Sequence, residues 1–292
     1  MTIGILPNVT KENIMTVVSF FAGKLKEHGF NFFISKNITE SQWEIPDNIK
    51  DAVLLDYDDL FKNSDMVASI GGDGTMLHTA YLARECSTPI LGINFGKLGF
   101  LAEFDINSID ASLSEIKNGK FVIEERMVLE GECSLCNGEK LFAANDIVID
   151  KGGWPKMIDL SLAVDGNYVT TFAADGLIFA TPTGSTGYSL STGGPIVSPG
   201  ADVITISPIS PHSLTMRPLV LASNKKISLK VSSHHTSIQI NCDGQRVYSY
   251  KPPVDIQISK SSKKVRLLHT FSANYFQTLR EKLFWGLDFR KI

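Results

Sequence analysis

The sequence predicts an α/β domain built on a parallel sheet, followed by a β-rich domain, and three observations predict it. Strand-like and helix-like segments alternate through the first third; from Phe121 short alternating runs replace them for about 150 residues; helical spacing returns only in the last segment. With 292 residues, 43% of them hydrophobic and 20% charged, the chain is long and apolar enough for two packed cores.

In the first third, residues 2–6 read as a strand, 13–28 as an amphipathic helix and 30–34 as a second strand, a βαβ rhythm. Gly29 stands where a helix C-terminal glycine belongs, and Lys26 and His28 occupy the last turn, where cations suit the helix dipole. Residues 65–70 then form a buried strand, a glycine turn follows, and 75–85 and 89–94 give the next helix and strand. One more helix is predicted over 108–118, closed by Gly119. The order is that of a Rossmann-like nucleotide-binding sheet.

Past Phe121 the runs 128–135, 142–150, 158–164, 227–231 and 237–241 alternate as half-buried strands. Asn137-Gly138, Asp165-Gly166 and Asp243-Gly244 lie between such runs, and type I′ turns need residues that tolerate positive φ there. A β-sandwich-like second domain follows. The last segment, 272–283, puts Tyr275, Phe276, Leu279 and Leu283 on one helical face, which should pack back on the first domain. The expected boundaries are therefore 1–119, 120–270 and 271–292, with a ligand lying between the two domains.

Lys and Arg number 28 against 31 Asp and Glu, for a net charge of -3. That balance gives no electrostatic basis for general nucleic-acid or membrane-surface binding, so any phosphate must be recognised locally. No signal peptide and no apolar run of roughly 18 residues is apparent, which points to a cytoplasmic protein. Four cysteines fit a reducing compartment, and Cys133 and Cys136 read as small hydrophobes at a strand end. A zinc site there would need two more ligands, and none is suitably spaced; no protein-held metal is expected.

The chemistry concentrates in two places. Ser69-Ile70-Gly71-Gly72-Asp73-Gly74-Thr75 sits where a buried strand hands over to a helix. Glycines there let the backbone approach a ligand, and amides at the helix start attract phosphate, so Gly71, Gly72, Gly74 and Thr75 are candidates for a phosphate-donor loop. The spacing is neither that of a P-loop nor that of the Gly-x-Gly-x-x-Gly fingerprint. Asp73 places a carboxylate inside this anion cradle. It could accept a hydrogen bond and then a proton from a hydroxyl nucleophile, help hold a cation beside phosphates, or simply support a tight turn. The second place is the block from Thr181 to Thr192, where seven of twelve residues are Ser or Thr, spaced by glycines. Its hydroxyls and amides suit the oxygens of a nucleotide.

These residues carry a resemblance. Gly71-Gly72-Asp73-Gly74-Thr75, Asn94-Phe95-Gly96-Lys97-Leu98-Gly99-Phe100-Leu101, Asn145-Asp146, the block from Thr181 to Pro195 and Asp243-Gly244-Gln245, in that order, resemble the NAD kinase family along nearly the whole chain. The Gly-Gly-Asp-Gly motif alone is shared with diacylglycerol-type lipid kinases and phosphofructokinases; the Thr-Pro-Thr-Gly-Ser-Thr-x-Tyr-Ser-Leu-Ser block is far more restrictive. A lipid kinase and a dinucleotide sensor without turnover are the alternatives.

The resemblance implies phosphoryl transfer from ATP or polyphosphate to the 2′-hydroxyl of the adenosine ribose of NAD, giving NADP, with Mg²⁺ on the donor phosphates and a homodimer or homotetramer as the assembly. It implies that Asp73 is the catalytic residue and that Gly74 touches the dinucleotide. Asn145 and Asp146 would contact the nicotinamide ribose, and Asp175 the nicotinamide end. Where the family commonly has Asn-Glu, Asp146 is one methylene shorter, which leaves room for a bridging water. Thr186, Gly187, Tyr188, Ser189, Leu190 and Ser191 would line the adenosine portion, and Phe100 would pack against adenine. His78, Lys156, Ser210 and Gln245 complete the implied NAD contacts, while His234 and His235 read as exposed strand-end residues.

Overall fold

The computed structural model describes residues 1–96, 99–234, 236–271 and 274–285. Lys97 and Leu98 of the second motif, His235, and Ser272 at the expected start of the last helix lie outside these. The chain divides into two compact units, Met1–Glu125 with Val265–Ile292, and Arg126–Lys264.

The first unit runs β1 (Thr2–Pro7), α1 (Ile14–Glu27), β2 (Asn31–Ser35), β3 (Leu54–Leu55), α2 (Tyr57–Asn63), β4 (Met66–Ile70), α3 (Asp73–Leu82), β5 (Ile90–Asn94), β6 (Phe104–Asp105) and α4 (Ile109–Lys117). Helix α1 buries Ile14, Met15, Val18, Phe21, Ala22 and Leu25, an apolar stripe at helical spacing. It ends as its sequence foretells, with Gly29 at φ 74°; Gly119 does the same for α4 at φ 69°. Strands β1, β4 and β5 are apolar runs, buried almost throughout, as befits a parallel sheet covered on both faces. All neighbours in the order β6-β5-β4-β1-β2-β3 are parallel. The direction of winding reverses between β1 and β4, because β2 lies on one side of β1 and β4 on the other. In sheets of this kind the crevice outside the carboxyl ends at that reversal is where ligands bind.

The second unit is antiparallel. After β7 (Phe121–Cys133) come β8 (Leu141–Ala143), β9 (Asp146–Asp150), β10 (Ile158–Val164), β11 (Asn167–Ala174) and β12 (Gly176–Ala180). The short α5 (Tyr188–Ser191) is followed by β13 (Val203–Ile209), β14 (Leu219–Ala222), β15 (Ile227–Ser232), β16 (Ile238–Cys242), β17 (Arg246–Tyr250) and β18 (Val254–Thr270). One set of strands pairs in the order β14-β13-β12-β9-β16-β17, and β11-β10-β15-β18 pair separately. Between them lies one core containing Leu129, Ile147, Ile149, Leu160, Phe179, Ile206, Leu229, Ile240 and Ile256. The three turn dipeptides have positive φ at both residues: 50° and 83° at Asn137-Gly138, 51° and 78° at Asp165-Gly166, 58° and 67° at Asp243-Gly244.

Three sequence expectations need correction. The single strand expected over 142–150 is broken at Ala144 and Asn145, whose amides are drawn off to the Asp243 carboxylate. Cys133 and Cys136 are not separate small hydrophobes: the turn that follows β7 brings their Cα atoms to 5.2 Å, and they form a disulfide. In α6 (Tyr275–Leu283), which belongs to the first unit, Leu279 is buried but Phe276 is exposed, so the docking face is narrower than the apolar spacing suggests.

Candidate active site

Strand β4 is buried along its whole length and delivers its carboxyl end, beside that of β1, into Gly71 and Gly72. Helix α3 then begins at Asp73. An acid in the first turn is favoured by the helix dipole, which answers the apparent conflict of a carboxylate in an anion cradle. The side chain is fixed from the loop after β5: Phe100 N–H donates to Oδ2 at 2.8 Å, and the N–H groups of Leu101 and Ala102 donate to Oδ1 at 2.9 and 3.2 Å. Such an approach requires Gly99, because a Cβ there would collide with Asp73 Oδ1. Oδ1 therefore carries two amide bonds and Oδ2 one. Oδ2 keeps an open lone pair, and Asp73 is only half-buried.

Not every amide of the glycine loop is open. Gly71 N–H donates to Ile93 O and Thr75 N–H to Gly72 O, whereas the Cα of Gly72 faces open space. Sequence reasoning missed Asn8, at the carboxyl end of β1. Its amide side chain donates to Thr75 Oγ1 at 3.1 Å, tying the β1 loop to the start of α3 across the winding reversal. A polar residue directly after a buried first strand was the available signal. His78 is exposed on α3 and stands edge-on to Tyr57 at 6.3 Å between ring centroids. Phe100 is half-buried, with Lys282 Nζ 6.0 Å above its ring.

In the second unit the hydroxyl-rich block folds as a 3-10 turn over Thr183–Thr186 and then α5. Most of its hydroxyls bond within the loop or to its neighbours. Thr181 Oγ1 donates to Ala144 O at 2.7 Å and accepts from Gly184 N–H at 3.1 Å. Ser185 donates to Pro182 O, Thr186 to Thr183 O, Ser191 to Tyr188 O and Thr192 to Ser189 O. Ser189 is fully buried against Ser207, 2.9 Å between hydroxyl oxygens. Short hydroxyl side chains close local turns readily, and here they hold the loop's own shape. Tyr188 is exposed, and Leu190 and Gly187 are half-exposed.

Gly184 sits against the Asn145 carbonyl so closely that a Cβ would overlap it, which brings the block beside Asn145 and Asp146. Asn145 Oδ1 is buried without a hydrogen-bond partner among the described residues. Asp146 is buried; burial first, and then the charge of Asp243, push its carboxyl up to about 7. Asp175 is half-buried and pairs with Lys151 Nζ at 2.7 Å, a cation that sequence reasoning did not include. Lys156, Ser210 and Gln245 are exposed, Ser210 with φ 44°.

Among the described residues no group of three or more His, Cys, Asp or Glu converges to hold a metal. No helix among them is long and apolar enough to cross a membrane.

Residues 3–121 match the family model described as the ATP-NAD kinase N-terminal domain, and residues 144–270 match the ATP-NAD kinase C-terminal domain. An NAD kinase of Thermoanaerobacter sp. (strain X514) is 38% identical over 283 residues, covering 96% of this chain and 98% of that protein. One from Geotalea daltonii is 42% identical over 233 residues, 78% of this chain and 81% of that protein. Among solved structures, yeast NADH kinase complexed with NADH has a TM-score of 0.88 at 26% identity, covering all of this chain and 90% of its own. The NAD kinase from Archaeoglobus fulgidus in complex with ATP has a TM-score of 0.75 at 25% identity, covering 97% and 98%.

Proposed function

This chain belongs to the NAD kinase family, and we propose that it makes NADP by moving the terminal phosphoryl group of ATP to the 2′-hydroxyl of the adenosine ribose of NAD. The observation that carries the residue-level reading is the fixed Asp73 carboxylate, at the winding reversal of a nucleotide-binding sheet, with one oxygen still able to accept a hydrogen bond.

In this reading the ribose 2′-hydroxyl donates to Asp73 Oδ2. Its oxygen attacks the terminal phosphorus, the bond from that phosphorus to the bridging oxygen breaks, ADP leaves with the electron pair, and the hydroxyl proton passes to the carboxylate or to water. Phosphoryl transfer has a loose transition state, so positioning is most of what the protein must supply, and three backbone donors on one carboxylate supply it. Gly72 and Gly74 offer the donor phosphates a backbone without side chains. Mg²⁺ would arrive with the donor as its phosphate complex and neutralise charge on those phosphates.

Asn145, whose buried Oδ1 awaits a donor, and Asp146 take the nicotinamide ribose; Tyr188, Gly187 and Leu190 line the adenosine, with Phe100 against adenine. The Ser189 hydroxyl acts on the loop, through Ser207, and not on the ligand. Support for ATP as donor is the archaeal relative's complex with ATP, and support for the acceptor is the yeast relative's complex with NADH. Polyphosphate, which offers the same terminal phosphoanhydride, is a second donor to test.

The test is a product assay with γ-labelled ATP, Mg²⁺ and either NAD or diacylglycerol. Label at the 2′-position of NADP supports the reading; label in the lipid, or tight NAD binding with no NADP, overturns it.

A further inference from the structure

Asp243 opens the hairpin turn between β16 and β17, and its φ of 58° suits that turn. A turn residue of this kind ordinarily points its side chain to water, and asparagine would serve the backbone at least as well. Here the carboxylate is wholly enclosed. It accepts from Ala144 N–H at 3.1 Å, Asn145 N–H at 2.7 Å and Asp146 N–H at 3.3 Å, and from Arg246 Nη2 at 2.9 Å. The same Arg246 nitrogen donates to Phe142 O at 2.9 Å, and Asp243 N–H donates to Asp146 O at 3.0 Å. The hairpin tip thus clamps the interruption between β8 and β9.

The other side of that interruption is held by the hydroxyl-rich block. Thr181 N–H donates to Asn145 O at 2.8 Å and Thr181 Oγ1 to Ala144 O at 2.7 Å. The amides of the corner go to one carboxylate and its carbonyls to one threonine. Ala144 and Asn145 thus lie outside the strand ladder, and Asn145 is aimed by Asp243, while Asp146 is held both by Asp243 and by its place opposite Ala180 in the sheet.

We propose that Asp243, backed by Arg246, is a positioning residue for the dinucleotide: it fixes the Asn145-Asp146 corner and, through Thr181, the entry to the loop that carries Tyr188. The proposal rests on the reading that Asn145 and Asp146 contact NAD. It gives the Asp-Gly-Gln segment a task beyond turning the chain.

A scaffold of this sort leaves an electrostatic signature. Among the described residues the charge acting on Asp146 is that of Asp243, which Arg246 in turn pairs with, and the neighbouring Cys242 thiol of β16 is pushed up to about 12 by burial and so stays neutral. The paired β12 residues, Gly176–Ala180, bear no ionisable group. Removing the Asp243 charge lowers the pH at which Asp146 ionises.

The experiment compares steady-state kinetics and pH profiles of the full chain with those of D243N, R246Q and N145A. D243N should raise KM for NAD about tenfold or more, with KM for ATP within about twofold, because a displaced corner misplaces one substrate. The pH dependence of KM for NAD should move to lower pH in D243N, and R246Q, which loosens the Asp243 carboxylate, should raise KM for NAD in the same sense but less. R246Q keeps the three amide bonds and serves where D243N does not fold. Normal KM and pH profiles in D243N and R246Q, alongside a raised KM in N145A, would reduce Asp243 to a turn residue. Unchanged KM in N145A overturns the site reading itself, and the proposal with it.

Discussion

The place of Asp73 in a glycine loop makes it the proposed catalytic residue, but its three amide partners come from Phe100, Leu101 and Ala102, and no spacing rule connects those positions. Asp73→Asn should lower kcat by about 10² to 10⁴ while NAD affinity stays within about tenfold, because the carboxylate acts on the transition state more than on the ground state. Product chromatography and calorimetric NAD titration measure the two halves; retained turnover would remove Asp73 from the mechanism. Asp146 carries a second prediction. Its ordinary ionisation at 3.8 rises to about 7 on folding, so the native chain holds a proton that the unfolded chain has released over that range. Stability from this group is complete below the lower value and lost as pH rises through the upper one. Asp150 and Asp243, also raised by burial, add to the same slope. Asp146→Asn should therefore be more stable than the parent at about pH 8, by up to a few kcal/mol, and show a shallower decline between about pH 5.5 and pH 8. Urea midpoints at the two pH values test this, and parallel declines would refute it. The buried pair Asp146 and Asp243 is invisible in the sequence because its partners are ninety-seven positions apart in the chain.

At the scale of elements, the sequence is most legible where local chemistry decides the backbone. Gly29 and Gly119 end helices, and three Asn-Gly or Asp-Gly pairs make tight turns, because positive φ is costly for other residues. It is least legible where tertiary bonds override periodicity. Residues 142–150 alternate as one strand should, yet Asp243 and Thr181 take the corner's hydrogen bonds and split it. The hydroxyl block is the same case: composition indicates donors, but only packing tells which way they point. Helix α6 gives a quantitative contrast, since Tyr275, Phe276, Leu279 and Leu283 look alike in sequence whereas Leu279 is 3% exposed and Phe276 63%. Leu279→Ala should cost about 2 to 4 kcal/mol, through lost burial and the cavity left behind, while Phe276→Ala stays within about 0.5 kcal/mol. Equal effects in chemical denaturation would mean that the helix docks by a different face.

For the whole molecule the informative quantity is charge. A net charge of -3 over 292 residues makes a weak far field, and both proposed substrates are anions. In the proposed reading, recognition then comes from fixed short-range groups: the amides at the start of α3, the Asn145-Asp146 corner and the aromatic faces of Phe100 and Tyr188. Charges further apart than the Debye length, about 30 Å at 0.01 M salt and about 8 Å at 0.15 M, stop influencing one another, so only a far-field contribution responds strongly to salt. Proteins that read phosphates through many exposed cations lose roughly 10³ to 10⁵ in affinity over a modest rise in salt. This chain lacks the cation excess for that behaviour. KM for NAD should change by less than about threefold between about 0.02 and 0.2 M monovalent salt, with Mg²⁺ held constant, and the protein should not be retained on duplex DNA at about 0.1 M salt. A steep loss of NAD affinity with salt would require a cluster of exposed cations at the dinucleotide site, and would move the explanation of binding away from the buried hydrogen bonds around Asp73 and Asp243.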